Sequence, residues 1–306
     1  MKKQEKNRIR EWVVLLVCAL ALPACTYHTP DEDWERNGKV RLHLNWQTRI
    51  DHPSVMTYYF YKDGIGFPVI RQGSASGYEG TLPAGQYKVA VCNTDCENVV
   101  LEMDNGYEQA YGKVRQISGL KSSSVHIEHP GNLSGTGCQI IDIGGKQAVV
   151  EELYPINLVK TLELNIKVKG GEEVLSLEGL SGRLTGVSAR IHIPDGQPLF
   201  DTVAFMAFEA VVAASGVYTA SLNLFGLSGG TENNDPVELY LTLRTKDGKE
   251  ITSLTNITGE VIDALEKSIS AYIVLDMEIV YDKVDGFKII LSEWKEGTGE
   301  VSNRAM

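Results

Sequence analysis

A serine in a glycine-rich segment is the first feature of this chain that could support catalysis. Ser228 lies in Gly226-Leu227-Ser228-Gly229-Gly230, which satisfies the Gly-x-Ser-x-Gly pattern of a nucleophile elbow. Such an elbow needs a helix after the serine, whereas residues 231–236 are Thr-Glu-Asn-Asn-Asp-Pro, a composition typical of a loop. The segment therefore predicts a glycine-rich hairpin loop. A catalytic Ser228, as in an esterase, is the less favoured alternative.

A second cluster has the residue types of a metal site. His126, Glu128 and His129 lie close together in sequence. On a strand, positions 126 and 128 share a face and position 129 points to the other, so the three converge only if the chain bends. Zinc needs three or four ligands. The cluster is interpreted as a solvated strand end, and the sequence predicts no metal and no other cofactor.

The first 24 residues have the pattern of an export signal. Positively charged residues precede an apolar run from Trp12 to Ala21, which is shorter than the roughly 20 residues of a transmembrane helix. The next residues, Leu22-Pro23-Ala24-Cys25, resemble a bacterial lipobox. This resemblance implies that Cys25 is diacylated and becomes the new N-terminus, and more than one acyl chain anchors a protein firmly. The alternative is an ordinary secretory signal cut near Ala24, with Cys25 a free thiol.

Three cysteines remain for the folded part of the chain: Cys92, Cys96 and Cys138. In an oxidising compartment a disulfide between Cys92 and Cys96 is geometrically feasible, and buried thiols are the alternative. A Cys-x-x-x-Cys metal site would need two more ligands nearby, and the sequence offers no local pair. The cysteines therefore favour a disulfide or buried thiols over metal.

Charge and length narrow the functional class. The segment 1–24 carries five positive and two negative charges, so its removal changes the formal net charge from −11 to −14. Such an acidic chain lacks the basic surface that binding to nucleic acid or to anionic lipid headgroups requires. The membrane contact is therefore assigned to the lipid. The length of the chain without its first 24 residues suits two domains.

Alternation of apolar and polar residues, typical of strands with one buried face, recurs along the chain. It occurs at Val40, Leu42, Leu44 and Trp46; at Leu162, Leu164, Ile166 and Val168; at Val187, Ala189, Ile191 and Ile193; and at Val237, Leu239, Leu241 and Leu243. Turn residues such as Asp63-Gly64 and Asp195-Gly196 separate the strands. The only helix predicted is a short one around Glu260 to Lys267. Many short strands with glycine-rich turns indicate an all-β protein of two β-sandwich domains.

The opening strands at Val40 and Leu162 suggest that each begins a domain. The predicted organisation is a signal peptide (1–24), an acidic tether (25–38), an N-terminal β-sandwich domain (39–154) and a C-terminal β-sandwich domain (155–306). The acidic residues after Cys25 look like the surface-export signal of Bacteroidetes lipoproteins, and a plain solvated linker is the alternative.

In the segment Tyr58-Tyr59-Phe60-Tyr61, aromatic residues fall on both faces of one strand. One face is expected in the core and the other to be partly covered, although its exposed half could stack on carbohydrate or contact a subunit.

These features together resemble the fimbrillin-like anchor lipoproteins of Bacteroidetes. The segments that carry the resemblance are the lipobox, the segment from Gly80 to Asn93, and a second β-domain containing Leu180-Ser181-Gly182, Leu224-Phe225-Gly226, Val237 to Arg244, Asn256-Ile257-Thr258 and Ser292-Glu293-Trp294. The resemblance implies two tandem transthyretin-like β-sandwich domains and attachment to the outer membrane through Cys25. It also implies fimbrial subunits as partners, joined by strand exchange.

The function expected is therefore that of a non-enzymatic lipoprotein of the outer membrane, exposed at the surface, that anchors or helps assemble a fimbria. The alternative is a surface glycan-binding accessory lipoprotein. An exposed aromatic platform on one sheet would favour glycan binding, and a long hydrophobic groove between edge strands would favour strand exchange.

Overall fold

The computed structural model describes residues 37–47, 52–118, 125–144, 147–169, 177–202, 204–214, 216–229, 236–246, 248–259, 272–282 and 286–296. The predicted signal peptide, Cys25 and the helix predicted at 260–267 lie outside the described residues. Within these ranges, no helix has the length and apolar character needed to cross a bilayer.

Strands dominate the described chain. In chain order they are β1 (Asn37–Leu44), β2 (Val55–Lys62), β3 (Val69–Ser74), β4 (Gly77–Pro83), β5 (Gly85–Cys92), β6 (Val99–Glu102), β7 (Tyr111–Val114), β8 (Val125–His126), β9 (Ser134–Ile143), β10 (Val149–Leu153), β11 (Ile156–Asn157), β12 (Lys160–Lys169), β13 (Leu177–Val187), β14 (Arg190–His192), β15 (Pro198–Leu199), β16 (Ala204–Ala214), β17 (Val217–Leu224), β18 (Glu238–Thr245), β19 (Glu250–Asn256), β20 (Tyr272–Asp282) and β21 (Gly286–Glu296). A short 3-10 turn, Tyr107–Gln109, precedes β7.

The first sheet contains eight strands in the order β10-β1-β4-β3-β2-β5-β9-β11. Exposed and buried residues alternate along the whole of β1, as its period of two predicts. Both edges of β1 are paired, antiparallel with β4 and parallel with β10. The sheet curls, so that β1 meets β9: a Cβ placed on Gly38 would lie 2.7 Å from Cγ2 of Ile143. The curled sheet encloses a first core of residues such as Leu42, Phe60 and Ile143.

The second sheet contains nine strands. Eight of them follow the order β19-β18-β13-β16-β17-β12-β20-β21, and the ninth, β8, pairs with β16. The central strand β12 pairs antiparallel with β17 and parallel with β20. The alternating residues predicted for β12 and β18 are buried, Leu164 and Leu241 among them, and form part of a larger second core. The predicted all-β class, with two curled sheets forming β-sandwich-like domains, is confirmed.

A small third sheet joins the two halves of the chain. Its order is β15-β14-β7-β6, so β14 of the second half pairs antiparallel with β7 of the first. In addition, β8 of the first half pairs parallel with β16 of the second. The first sheet also continues past residue 154, because Ile156 of β11 pairs with Gly135 of β9. The limits of the two domains stay a prediction, but the strands on either side of residue 154 are interlocked.

One predicted strand is interrupted. The alternation at Val187, Ala189, Ile191 and Ile193 predicted a continuous strand, and all four side chains are buried. However, β13 ends at Val187 and β14 begins at Arg190. The buried Ser188 hydroxyl between them lies 2.6 Å from the carbonyl oxygens of both Arg190 and Leu199. These contacts stabilise a local bend, which sends β14 into the third sheet.

Candidate functional site

The structure describes three of the predicted cysteines, and the lipidation residue Cys25 lies outside its range. Cys92, Cys96 and Cys138 are free thiols, with Cys92 fully buried at the end of β5 and Cys96 half-buried. Burial raises the pKa of the thiols of Cys92 and Cys96, which disfavours the reactive thiolate. The Cys92–Cys96 disulfide stays a prediction.

Ser228 is packed into the interior beside a turn. Only 3% of the residue is exposed, and its amide donates a hydrogen bond to the carbonyl oxygen of Gly186 at 2.8 Å. The neighbouring Leu227 forms a bridge with Val187. This bridge ties the glycine-rich segment to the end of β13. Burial of the side chain favours a structural role for Ser228.

The two histidines of the cluster, His126 and His129, both contact β16. The His126 ring stacks on Phe205, with ring centroids 4.7 Å apart and planes inclined by 7°. Nε2 of His129 lies 2.9 Å from the carbonyl oxygen of Ala207. In the part of the chain that is described, no group of three or more His, Cys, Asp or Glu side chains could hold a metal ion.

The aromatic strand β2 is buried on both faces, which corrects the expectation that its second aromatic face is only partly covered. Tyr58 and Phe60 lie in the first core, and Tyr59 and Tyr61 lie in the second. The Tyr61 hydroxyl donates to the carbonyl oxygen of Met103 at 2.9 Å. The reason is tertiary, since the second core packs against the outer face of the first sheet. These four residues therefore offer no platform for carbohydrate.

Charged and aromatic side chains meet where β7 and β14 join the halves. The Arg190 guanidinium lies over the Tyr111 ring and contacts two carboxylates, with Nη1 2.7 Å from Asp201 Oδ2 and Nη2 3.5 Å from Glu102 Oε2. Next to it, Nδ1 of His192 lies 2.8 Å from Oδ1 of Asp195. No motif in the sequence signals this arrangement, because its members come from both halves. These contacts stabilise the pairing of β7 with β14.

The outer edge of β10 is a candidate surface for a partner. The first sheet ends at β10, so within the described ranges no strand pairs with this edge. Val150 is 54% exposed and the adjacent Tyr154 is 47% exposed. An unpaired edge with exposed apolar side chains is a template for an added strand. We refer to Val149–Leu153 together with Tyr154 as the β10 edge.

A cleft opens at the junction of the halves. It has a volume of about 480 Å³ and is lined by polar side chains from distant segments, including His52, Asp95, Glu97, Asn132 and Asn223. We refer to these five residues as the junction cleft. Sequence reasoning missed it, because its residues come from segments that are far apart in the chain.

The described residues form an all-β protein with two curled sheets joined by a small third one, and this fold occurs in known structures. The chain belongs to the family described as Domain of unknown function (DUF5119), whose model matches residues 24–209. No curated protein sequence matches it.

Solved structures of Bacteroidetes proteins share the fold. A candidate adhesin from Bacteroides ovatus ATCC 8483 is 19% identical, with a TM-score of 0.63 over 89% of this chain and 99% of that chain. The fimbrial anchor protein Mfa2 from Porphyromonas gingivalis is 11% identical, with a TM-score of 0.54 over 83% and 95% of the two chains. A candidate polysaccharide-binding protein (DUF1812) from Bacteroides thetaiotaomicron VPI-5482 is 12% identical, with a TM-score of 0.54 over 87% and 99%. The predicted likeness to fimbrillin-like proteins is confirmed at the level of fold.

Proposed function

We propose that this protein is a non-enzymatic, surface-exposed lipoprotein of the outer membrane that anchors or helps assemble a fimbria. Cys25 carries the lipid at the start of the acidic tether (25–38), and fimbrial subunits are the partners. The observation that carries the proposal is the fold shared with the fimbrial anchor protein of Porphyromonas gingivalis, over 95% of that chain.

The position of β1 suits a load-bearing anchor. The first described residue, Asn37, already belongs to β1, so a pull on Cys25 is transmitted to this strand within a short segment. Hydrogen bonds to β4 and to β10 hold β1 on both sides. A pull along the strand therefore loads both ladders together. The third sheet and the β8–β16 pair carry the load on to the second half.

The β10 edge supports strand exchange as the mode of attachment. An added strand would find unpaired main-chain groups there, with Val150 and Tyr154 beside them. Main-chain hydrogen bonds would supply affinity, and side-chain pockets at alternate positions would supply specificity.

The experiment that tests the proposal is Cys25→Ser in the native cell. We expect the variant to leave the membrane fraction without unfolding and to shed fimbriae into the medium, because the fibre loses its covalent tie to the bilayer. Fractionation, immunoblotting and electron microscopy measure these outcomes. Retention of the variant in the membrane would overturn the lipid assignment, and release of the protein with fimbriae still cell-bound would overturn the anchor role.

A further inference from the structure

The junction cleft brings together segments that are far apart in sequence. His52 precedes β2, Asp95 and Glu97 lie between β5 and β6, and Asn132 precedes β9. Asn223 reaches the cleft from β17 of the second half, where its Oδ1 accepts a hydrogen bond from the Thr161 hydroxyl at 2.9 Å. The cleft therefore exists only when both halves are in place.

A buried asparagine holds the floor of this cleft. Asn93 is 2% exposed, and its Nδ2 donates to Oδ1 of Asp95 and to the carbonyl oxygen of Asn132, both at 2.9 Å. Its Oδ1 accepts a hydrogen bond from the amide of Ser134 at 2.7 Å. These bonds leave the Asn93 side chain little capacity for a ligand. They fix the positions of Asp95 and Asn132 in advance, which lowers the entropy cost of binding.

The rim of the cleft retains hydrogen-bonding capacity. Among the described residues, the side chains of Glu97 and Asn132 make no hydrogen bond, and both are exposed. The amide Nδ2 of Asn223 is likewise uncommitted. Amides supply donors and acceptors, and carboxylates supply acceptors. The cleft thus offers both kinds of group.

An aromatic stack supports one wall. The His52 ring lies against the Trp46 ring, with centroids 5.2 Å apart and planes inclined by 29°. Nε1 of Trp46 donates to the carbonyl oxygen of Ala75 at 2.6 Å, which anchors the stack. An exposed planar ring held in this way presents a flat surface beside the polar rim.

We propose that the junction cleft binds a neutral carbohydrate. Sugar hydroxyls both donate and accept hydrogen bonds, which matches the mixed amide and carboxylate groups, and the face of a sugar ring suits a flat aromatic wall. Asp95 and Glu97 disfavour anionic sugars by charge repulsion. The volume lies within the range of about 300–1,000 Å³ that small-molecule sites occupy. This binding activity does not depend on the fimbrial role.

Titration calorimetry with neutral oligosaccharides tests the inference on the folded chain from residue 26 onward. The probes are maltohexaose, xylohexaose, mannohexaose and chitohexaose, with a trigalacturonate as the anionic comparison. We expect saturable binding of at least one neutral probe and more than about tenfold weaker binding of the anionic one.

A double variant, Glu97→Ala with Asn132→Ala, removes the two uncommitted side chains. It should weaken binding more than about tenfold with the melting temperature unchanged, since neither side chain makes an internal hydrogen bond. The matched control is Glu209→Ala with Gln72→Ala, two exposed positions outside the cleft, which should leave binding intact. The inference is overturned if no neutral probe binds, if the anionic probe binds as well as the neutral ones, or if both double variants weaken binding equally.

Discussion

The guanidinium carbon of Arg190 lies 4.2 Å from the centroid of the Tyr111 ring, and these two residues belong to different halves of the chain. Arg190 is in β14 and Tyr111 is in β7, two strands that pair across the joint. The guanidinium also contacts Asp201 and Glu102 with a side-chain exposure of 23%. One side chain therefore combines a cation–π contact with ion pairs to both halves.

Replacement of Arg190 by methionine should destabilise the whole protein. The change keeps an apolar stem but removes the cation–π contact and the charged hydrogen bond to Asp201, together worth about 1–2 kcal/mol. Urea unfolding measures the effect. Arg244→Met is the matched control, because the Arg244–Glu250 pair is exposed on both sides and should contribute less than about 1 kcal/mol. Equal effects of the two variants would contradict a special role for Arg190.

Removal of the Tyr58 hydroxyl and removal of the Tyr61 hydroxyl should have different effects on the stability of the protein. The Tyr58 hydroxyl is buried without a hydrogen-bond partner among the described residues, whereas that of Tyr61 donates to Met103. We expect Tyr58→Phe to leave stability unchanged or to raise it, and Tyr61→Phe to lower it by about 1 kcal/mol. Thermal unfolding of both variants gives the comparison. A loss of stability in Tyr58→Phe would show that its hydroxyl has a partner.

Alkaline pH should unfold the protein through its buried tyrosines. Burial raises the pKa of Tyr58, Tyr59 and Tyr61, and it raises that of Tyr107 to about 12. The pKa of each of these tyrosines is higher in the folded protein than in the unfolded chain. Their contribution to the free energy of unfolding is therefore complete below about pH 10 and falls as the pH rises further. Tyrosinate absorbance and circular dichroism, followed together, should change in one transition. Ionisation of all tyrosines well before unfolding would contradict this prediction.

A charge on the β10 edge should block partner attachment without unfolding the protein. Val150 is exposed, so the new carboxylate of Val150→Glu faces solvent in the isolated protein. Its partner position on β1 is Arg41, a residue of opposite charge. An added strand would have to desolvate this charge, so we expect more than about tenfold fewer fimbriae retained on cells. Val211→Glu is the control, because Val211 is 69% exposed but lies away from this edge. Normal retention in Val150→Glu would place attachment elsewhere.

Local alternation was enough to predict β1, β12 and β18. Leu42 in β1, Leu164 in β12 and Leu241 in β18 are buried as their spacing predicts. The reason is that the side-chain period of a strand is a property of the local backbone, so a half-buried strand is visible in its own residues. The all-β class followed from the same signal.

Only the tertiary structure determined which faces are covered and which residues meet. Tyr59 and Tyr61 are buried in the second core, where the Tyr61 hydroxyl bonds to the Met103 carbonyl and the Tyr61 ring packs edge-on against Tyr107, and no local pattern encodes those contacts. The joint between Arg190 and Tyr111 and the junction cleft likewise bring together segments that are distant in sequence. Such contacts depend on how the two curled sheets pack together, since their free energy is gained only when both sheets have formed.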